Sequence, residues 1–340
     1  MKLKTLILAG AILAGVIVAV LIFINKPSDK LSETEVMPSD KFPEAEITND
    51  IIDAKLYLPD NEKGYYRGTR FDHAGNIPSL KVNGHEYFGQ WFDKYDPQMH
   101  DAIMGPAEVF AELGFIEAKP GETFVKVGVG TLTRPDDKPY SFARLYPVVD
   151  PGKWTVRKES DHVEFIHELN SSNYSYVYTK TVRLVPGKAE MELVHSLKNT
   201  GVKTIETSVY NHNFFVMDNL NVGPDYTITF PWNINLLGSN DGLDTLADIT
   251  GNRITFLKEL RQGENVFYSI GGFSDSHTDH DIRIENRKAG VGVRITCDRP
   301  LLRLAFWSCW KSPCPEAYVM VKAEPGQEFS WTTRYEFYNL

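Results

Sequence analysis

Short segments with alternating apolar and polar residues, separated by turn-forming dipeptides, dominate the chain from Tyr57 to its C-terminus. The last segment, EFSWTTRYEF, places apolar or β-branched residues on one face from Phe329 to Phe337 and polar residues on the other, as expected for a half-buried strand. Pro-Gly dipeptides lie beside β-branched and aromatic residues and begin at Pro120, Pro151, Pro186 and Pro325. This pattern predicts an all-β fold of many short strands.

One segment has a different pattern. In GPAEVFAELGF, Pro106 suits the first turn of a helix and Gly114 suits its end, so the sequence predicts one short helix here. His195 falls on the apolar side of AEMELVHSLKN, which predicts a histidine of the core rather than a ligand. No repeat or shift in composition divides residues 51–340, so we expect them to form a single domain.

The first residues of the chain form a separate region. An uncharged, mostly apolar run from Thr5 to Ile24 follows Lys2 and Lys4 and is long enough to cross a bilayer as a helix. The early lysines favour an N-terminus inside the cytoplasm and the rest of the chain outside. We therefore predict a membrane anchor, or alternatively a cleaved signal segment, over residues 1–26. A polar, proline-bearing flexible linker is predicted for 27–50, and a folded extracytoplasmic domain for 51–340.

Charge and motif content exclude several classes of function. The formal net charge of −9 argues against a surface that neutralises nucleic-acid phosphates. The sequence contains no phosphate-binding glycine loop, no nucleophile elbow and no zincin helix, and no cofactor or metal is expected. The three cysteines do not predict a disulfide framework, although an extracytoplasmic location would permit a bridge between Cys309 and Cys314.

A polar triplet interrupts the strand-like run SVYNHNFFVMD. Asn211, His212 and Asn213 lie among aromatic and β-branched residues. A buried amide or imidazole without a partner costs a few kcal/mol. The triplet is therefore either a set of core groups that satisfy each other or part of a strand that faces a cleft.

Other segments hold side chains suited to a sugar ligand. GYYRGTRFDHAGNI contains Arg67 and Arg70, whose guanidiniums present forked donors for hydroxyls and carboxylates, although an internal ion pair such as Arg70 with Asp72 explains the cluster equally well. His100, in YDPQMHDAIMGPAE, has the pattern of a surface-loop histidine when taken alone.

A late carboxylate lies among aromatic residues. Glu316 follows FWSCWKSPCP, so neighbours such as Trp307 and Tyr318 could raise its pKa and make it a proton shuttle; the alternative is an exposed loop glutamate. SDSHTDHD, from Ser274 to Asp281, has metal-ligand residue types, but such hydrophilic runs are usually solvated turns.

Taken together, these motifs resemble the aldose 1-epimerase, or galactose mutarotase-like, superfamily. The matching segments are NHNFF from Asn211, PEAY around Glu316, EPGQEF from Glu324 and TRYEF from Thr333, in the family's order and spacing. The resemblance covers about residues 55–338. It implies a large antiparallel supersandwich whose substrate cleft crosses one concave sheet face.

The resemblance also implies a site and a reaction. His212 would protonate the ring oxygen of a sugar and Glu316 would remove the proton of the anomeric hydroxyl, so that ring opening and closure interconvert the anomers. Arg70 or Arg67 would hold sugar hydroxyls, and His100 would be the family's other histidine. Asn211 and Trp307 complete the predicted substrate-binding set.

The chain departs from the family pattern in the half of the site that holds the substrate. Members acting on free hexoses have Asn-Arg-Ile and His-Gly-Gly where this chain has GTRFDHAG and HDAIMG. Two alternatives therefore stand beside an anomer-interconverting enzyme. One is a polysaccharide lyase-type enzyme using His212, an arginine and Tyr210 on a uronate. The other is a non-catalytic surface protein that stacks sugars on exposed tryptophans such as Trp232 and Trp307.

Overall fold

The computed structural model describes residues 42–340, which form twenty-three β-strands and two short 3-10 turns, Met217–Asn219 and His277–Asp279. The first twelve strands are β1 (Glu44–Thr48), β2 (Ile52–Tyr57), β3 (Asn76–Val82), β4 (His85–Glu86), β5 (Gly105–Phe110), β6 (Thr123–Lys126), β7 (Gly130–Thr133), β8 (Val148–Asp150), β9 (Lys153–Lys158), β10 (His162–Asn170), β11 (Ser175–Leu184) and β12 (Glu190–Asn199). The remaining strands are β13 (Ile205–Phe214), β14 (Tyr226–Thr229), β15 (Asn235–Asp241), β16 (Ala247–Thr250), β17 (Arg253–Phe256), β18 (Val266–Gly271), β19 (Asp281–Asn286), β20 (Val291–Cys297), β21 (Arg303–Ser308), β22 (Pro313–Ala323) and β23 (Glu328–Asn339).

Two large antiparallel sheets dominate the architecture. The first has ten strands in the order β16-β17-β14-β19-β20-β23-β12-β11-β10-β9. The second has six strands in the order β15-β18-β21-β22-β13-β5, so β13 lies between β22 and β5. Two smaller sheets, β1-β2-β3-β4 and β6-β7-β8, complete the described part of the chain. Neighbours far apart in the chain, such as β13 and β22, therefore become adjacent.

The core lies where the two large sheets pack against each other. Side chains of both sheets, such as Tyr335 on β23 and Phe306 on β21, are fully buried in one apolar cluster. The predicted alternation of β23 is confirmed, because Trp331, Thr333, Tyr335 and Phe337 are buried while Thr332, Arg334 and Glu336 are more exposed. This is the packing expected of a sandwich with one apolar face per sheet.

The structure corrects several expectations. Pro106 lies in β5, an edge strand, and not in a short helix; proline is tolerated at a sheet edge because it lacks only one ladder donor. Strand β1 lies inside the range 27–50 that we expected to be a linker, so the folded part begins before residue 51. Cys309 and Cys314 are both free thiols.

The predicted N-terminal anchor or signal helix, residues 1–26, and most of the predicted linker lie outside the described residues. Within residues 42–340, no helix has the length and apolar character needed to span a membrane.

Candidate active site

Strand β13 distributes the polar triplet between its two faces. Asn211 and Asn213 point toward the ten-stranded sheet, where Asn211 Nδ2 donates to Glu108 Oε1 at 2.8 Å and Asn213 Oδ1 accepts from Tyr335 Oη at 2.8 Å. His212 lies on the opposite, outer face of the six-stranded sheet, as strand alternation requires. The asparagines are therefore core groups that satisfy each other's surroundings, whereas the histidine lies on the opposite face of the strand.

Strand β22 brings Glu316 beside His212. The two strands pair antiparallel up to Tyr210 opposite Tyr318, and extending this register by two residues sets His212 opposite Glu316. His212 Nε2 lies 3.3 Å from Glu316 Oε1, and Tyr318 Oη donates to Glu316 Oε2 at 3.3 Å. Two residues far apart in the chain thus form one contact pair.

Aromatic rings surround this pair. The His212 ring stacks on Phe214 at a centroid distance of 3.9 Å and meets Trp307 edge-on at 5.4 Å. Trp91 covers Phe214 in turn, with a centroid distance of 4.5 Å. His212 is 3% exposed and Glu316 is 6% exposed, so the pair is almost wholly removed from solvent.

Arg70 supplies the nearest positive charge. Its guanidinium forms an ion pair with Asp101 and donates to Tyr210 Oη at 3.5 Å. Asp101 also lies 2.9 Å from His100 Nε2. Arg70 is therefore held from two sides, between a carboxylate and the strand that carries His212.

The surroundings shift the pKa values of the pair in opposite directions. Burial, followed by the nearby Arg70 guanidinium, lowers the pKa of His212 well below its usual 6.5. Burial raises the pKa of Glu316 to about 7, against the opposing effects of Arg70 and Tyr318. Near neutral pH, a single proton shared by the pair therefore resides on Glu316 rather than on His212.

The structure brings some of the predicted site residues together and separates others. His212, Glu316, Arg70 and Trp307 come together on the outer face, and His100 reaches them only through Asp101. The substrate-binding role of Asn211 is corrected, because its side chain lies on the other face of the sheet.

Arg67 does not join the cluster. Its Nη1 donates to the carbonyl of Glu62 at 2.7 Å, and within residues 42–340 it has no hydrogen bond or ion pair with His212 or Glu316. Sequence reasoning missed Asp101, although its place directly after His100 was a signal. The proposed Arg70–Asp72 ion pair is also absent from the described contacts, because Asp72 lies next to Lys180 instead.

A buried ionic network lies directly behind β13. Lys180 pairs with Glu108 and lies 3.8 Å from Asp72, and His195 Nε2 contacts Glu108 Oε1 at 3.0 Å. His195 is thus a core residue, as expected. Burial raises the pKa of Asp72 to about 7; burial alone would also raise the pKa of Glu108, but Lys180 and His195 outweigh it and lower that pKa to about 2.

This network joins both large sheets to the segment that carries Arg70. Lys180 lies on β11 and Glu108 on β5, while Lys180 Nζ also donates to the Ala74 carbonyl at 2.8 Å. The backbone N–H of Asp72 donates to the Glu108 carbonyl at 2.9 Å. The position of Arg70 relative to His212 is therefore fixed from the core side.

The hydrophilic run from Ser274 to Asp281 has ordinary structural contacts. Asp279 Oδ2 accepts from the Ser274 backbone at 2.6 Å, and Asp281 pairs with Arg294. Within residues 42–340 no group of three or more histidine, cysteine or acidic side chains is arranged to hold a metal ion.

The fold and the site define a class of protein. It is a sandwich of two large antiparallel sheets, with a nearly buried histidine–glutamate pair on the outer face of the six-stranded sheet. Solved structures similar to this chain include galactose mutarotase-like and aldose 1-epimerase-like proteins, so the chain has the galactose mutarotase-like fold that the resemblance implied.

Three of these structures illustrate the similarity. A candidate aldose 1-epimerase from Escherichia coli K12 is 12% identical, with a TM-score of 0.54 over 88% of this chain and 100% of that one. A galactose mutarotase related enzyme from Lactobacillus acidophilus is 14% identical, with a TM-score of 0.53 over 87% and 97%. An aldose epimerase homologue from C. elegans is 14% identical, with a TM-score of 0.51 over 88% and 99%.

No protein-family model matches the sequence, and no curated protein matches it significantly. At identities this low the structural similarity establishes the fold and not the reaction.

Proposed function

We propose that this protein interconverts the anomers of a sugar by acid–base catalysis at His212 and Glu316. The observation that carries the proposal is the 3.3 Å contact between His212 Nε2 and Glu316 Oε1, which joins two groups whose pKa values are shifted in opposite directions. Pairs of titratable groups with such environments are typical of acid–base sites.

The chemistry needs two neighbouring groups and one proton. The ring oxygen and the anomeric hydroxyl of a cyclic sugar are bonded to the same carbon, so the groups that serve them must also be neighbours. One group gives a proton to the ring oxygen while the other accepts the proton of the anomeric hydroxyl, and the ring opens to the aldehyde. Rotation about the bond to the aldehyde carbon and the reverse transfers give the other anomer.

Whichever residue is the acid and whichever the base, the pair must carry one proton in total. We expected His212 to be the acid and Glu316 the base, but the pKa directions favour Glu316 as the holder of the proton before substrate binds. The active form of the pair carries one proton in total. Activity is then expected to fall as the pH rises through about 7, because that proton is lost.

Neighbouring side chains have supporting roles in this proposal. Arg70, held by Asp101 and Tyr210, has guanidinium donors for sugar hydroxyls. Trp307, half-buried beside His212, offers an apolar ring for the face of a sugar.

The test is proton NMR of pure α-anomers of glucose, galactose, xylose and arabinose, mixed with the full chain in a detergent without a sugar headgroup. The proposal predicts faster growth of β-anomer signals than in buffer with at least one sugar. His212→Ala and Glu316→Gln should each reduce the enzymatic rate by about 10²–10⁴-fold, the usual contribution of a general acid or base. His162→Ala and Glu164→Gln on β10, remote from the pair, are the matched controls and should retain the rate.

Two results would contradict this proposal. The first is that no sugar exchanges faster than in buffer, while sugar signals broaden equally with wild type and both variants; the protein would then be a non-catalytic binder. The second is the appearance of vinylic signals with uronate-containing oligosaccharides, which would indicate a lyase. The structural comparisons do not favour that alternative.

We also propose an extracytoplasmic location for residues 42–340. The support is the sequence alone, with Lys2 and Lys4 ahead of the apolar run from Thr5 to Ile24. Fusion of alkaline phosphatase or green fluorescent protein to the C-terminus in a bacterial host tests it. An active phosphatase and a dark fluorescent protein are expected, and the reverse pattern would overturn the proposal.

A further inference from the structure

A cavity of about 540 Å³ lies on the ten-stranded sheet, away from the His212–Glu316 pair. Its lining includes Glu192 and Val194 of β12, which alternate with the core residues Met191 and Leu193. The cavity therefore lies on the outer face of this sheet, whereas His212 lies on the outer face of the six-stranded sheet. The two places are on opposite sides of the sandwich.

The floor of the cavity is a carboxylate held between two arginines. The Glu192 side chain is 7% exposed and pairs with Arg183 on one oxygen and with Arg334 on the other, the latter at 2.6 Å from Nη2. Burial alone would raise the pKa of Glu192, but the two guanidiniums outweigh it and lower that pKa. Glu192 is therefore fixed and ionised at neutral pH.

A second ion pair forms one wall. Arg294 donates to both oxygens of Asp281, from Nε at 2.9 Å and from Nη2 at 2.7 Å. Such a forked pair is geometrically well defined. This pair orients the Arg294 guanidinium along the border of the cavity.

His280 lines the same cavity and has an unsatisfied ring nitrogen. Its side chain belongs to a residue that is only 3% exposed, and Nδ1 has no hydrogen-bond partner within the described structure. Burial lowers the pKa of His280 to about 4, so the ring is neutral at pH 7. Nδ1 is itself fully buried, so His280 contributes the surface of a neutral ring to the lining and no hydrogen bond to a ligand.

The charges of the lining indicate the class of ligand. The cavity wall has three arginines, at 183, 294 and 334, and three acidic residues, at 192, 281 and 298, so the fixed charges balance. An anion such as phosphate would meet guanidiniums that are already neutralised and would lie close to Glu192. A cation would meet carboxylates that are already occupied.

Hydrogen-bonding capacity remains abundant despite this balance. Arg334 directs two N–H groups at Glu192 and Arg183 directs one, so most of the five donors of each guanidinium are free for a ligand. Thr296 and Thr332 add hydroxyls to the lining. A volume of about 540 Å³ falls within the roughly 300–1,000 Å³ typical of small-molecule sites.

We propose that this cavity is a second carbohydrate-binding site, which takes an uncharged sugar of one or two rings through Arg183, Glu192 and Arg334. A neutral polyol offers both donors and acceptors and adds no charge, which is the combination that the lining requires. The inference is independent of the proposed catalytic function, because it concerns the opposite side of the molecule.

The experiment labels the arginines of the full chain with ¹⁵N and follows their Nε–Hε signals by NMR in a detergent without a sugar headgroup. Glucose, maltose, cellobiose and lactose are titrated separately toward saturation, and inorganic phosphate is titrated in parallel. Signals of Arg183, Arg294 and Arg334 are assigned by single Arg→Gln replacements. We expect saturable shifts of these signals with at least one sugar.

Variants separate this site from the catalytic pair. Arg334→Gln and Arg183→Gln should each weaken the sugar affinity about tenfold, the loss of one or two hydrogen bonds to a charged group. Arg157→Gln removes an ion pair with Glu164 on β9 and β10 of the same sheet and should leave the affinity unchanged. His212→Ala should also leave it unchanged.

Three outcomes overturn the inference. The first is the absence of a saturable shift with all four sugars. The second is a shift with phosphate alone, which would make the cavity an anion site. The third is a sugar-dependent shift that disappears in His212→Ala but persists in both cavity variants, because the sugar would then bind at the catalytic pair.

Discussion

Replacing Glu316 by glutamine should stabilise the protein at neutral and alkaline pH while lowering the proposed activity by about 10²–10⁴-fold. Glu316 is 6% exposed and its pKa is raised from 4.5 to about 7 in the folded state. At a pH above 4.5 this carboxyl is ionised in the unfolded chain. Folding then requires either protonating it or burying its charge, and both reduce the free energy of unfolding. Glutamine has a similar shape and stays neutral at every pH.

The size of the effect follows from the pKa difference. A shift of about 2.5 units, from 4.5 to about 7, corresponds to roughly 3 kcal/mol at about 1.36 kcal/mol per unit. Below pH 4.5 the carboxyl is protonated in both states, and stability is intact. As the pH rises through 4.5 the unfolded chain ionises first, so stability falls until the pH passes about 7.

Urea unfolding of wild type and Glu316→Gln at two pH values measures this difference. The variant should be more stable by about 1 kcal/mol at pH 5 and by about 3 kcal/mol at pH 8. Equal differences at both pH values would refute the reasoning, as would a variant that is less stable than wild type at pH 8. Either result would mean that Glu316 is not held neutral by its surroundings.

Three further predictions concern groups around the site. Lys180→Met leaves the buried carboxylates beside it without a counter-charge and should lower the free energy of unfolding by roughly 3–5 kcal/mol in urea titrations. A loss below about 1 kcal/mol would contradict the ionic network. Tyr318→Phe removes a hydrogen bond that lowers the pKa of Glu316, so in a plot of kcat/KM against pH the alkaline limb should move to higher pH. An unchanged pH dependence would contradict this coupling. Gly105→Ala should cost more than about 1 kcal/mol in thermal unfolding, because φ is 77° and an added Cβ would lie 2.9 Å from a neighbouring side chain. Gly84→Ala, with a similar φ of 87° but open space around it, is its control and should cost less.

The local sequence pattern predicted the strands well, but it did not predict which strands lie next to each other in a sheet. The alternation of Trp331, Tyr335 and Phe337 fixed which face of the last strand is buried, because side chains alternate with a period of two. No local signal places β13 between β22 and β5, since strand order depends on contacts made far along the chain. Only the resemblance to a known fold predicted that His212 and Glu316 would belong to one site.

The same period of two would have corrected one error. Three consecutive polar residues cannot all face one side of a strand, so with His212 facing outward, Asn211 had to face the core. The short helix predicted at Pro106 was wrong for another reason. The segment from Gly105 to Phe115 has residues typical of a helix start and end, but its pairing with β13 places Pro106 in an edge strand. Tertiary pairing outweighed local propensity there.

The most direct test of the account is the rate of exchange between the α- and β-anomeric proton signals of the fastest-reacting sugar. It should be measured with wild type, His212→Ala, Glu316→Gln and the double variant. The account predicts that each single variant loses about 10²–10⁴-fold of the enzymatic rate and that the double variant loses little more, because the two groups act as a unit. Wild-type rates in either single variant would contradict the assignment of His212 and Glu316 as the catalytic pair.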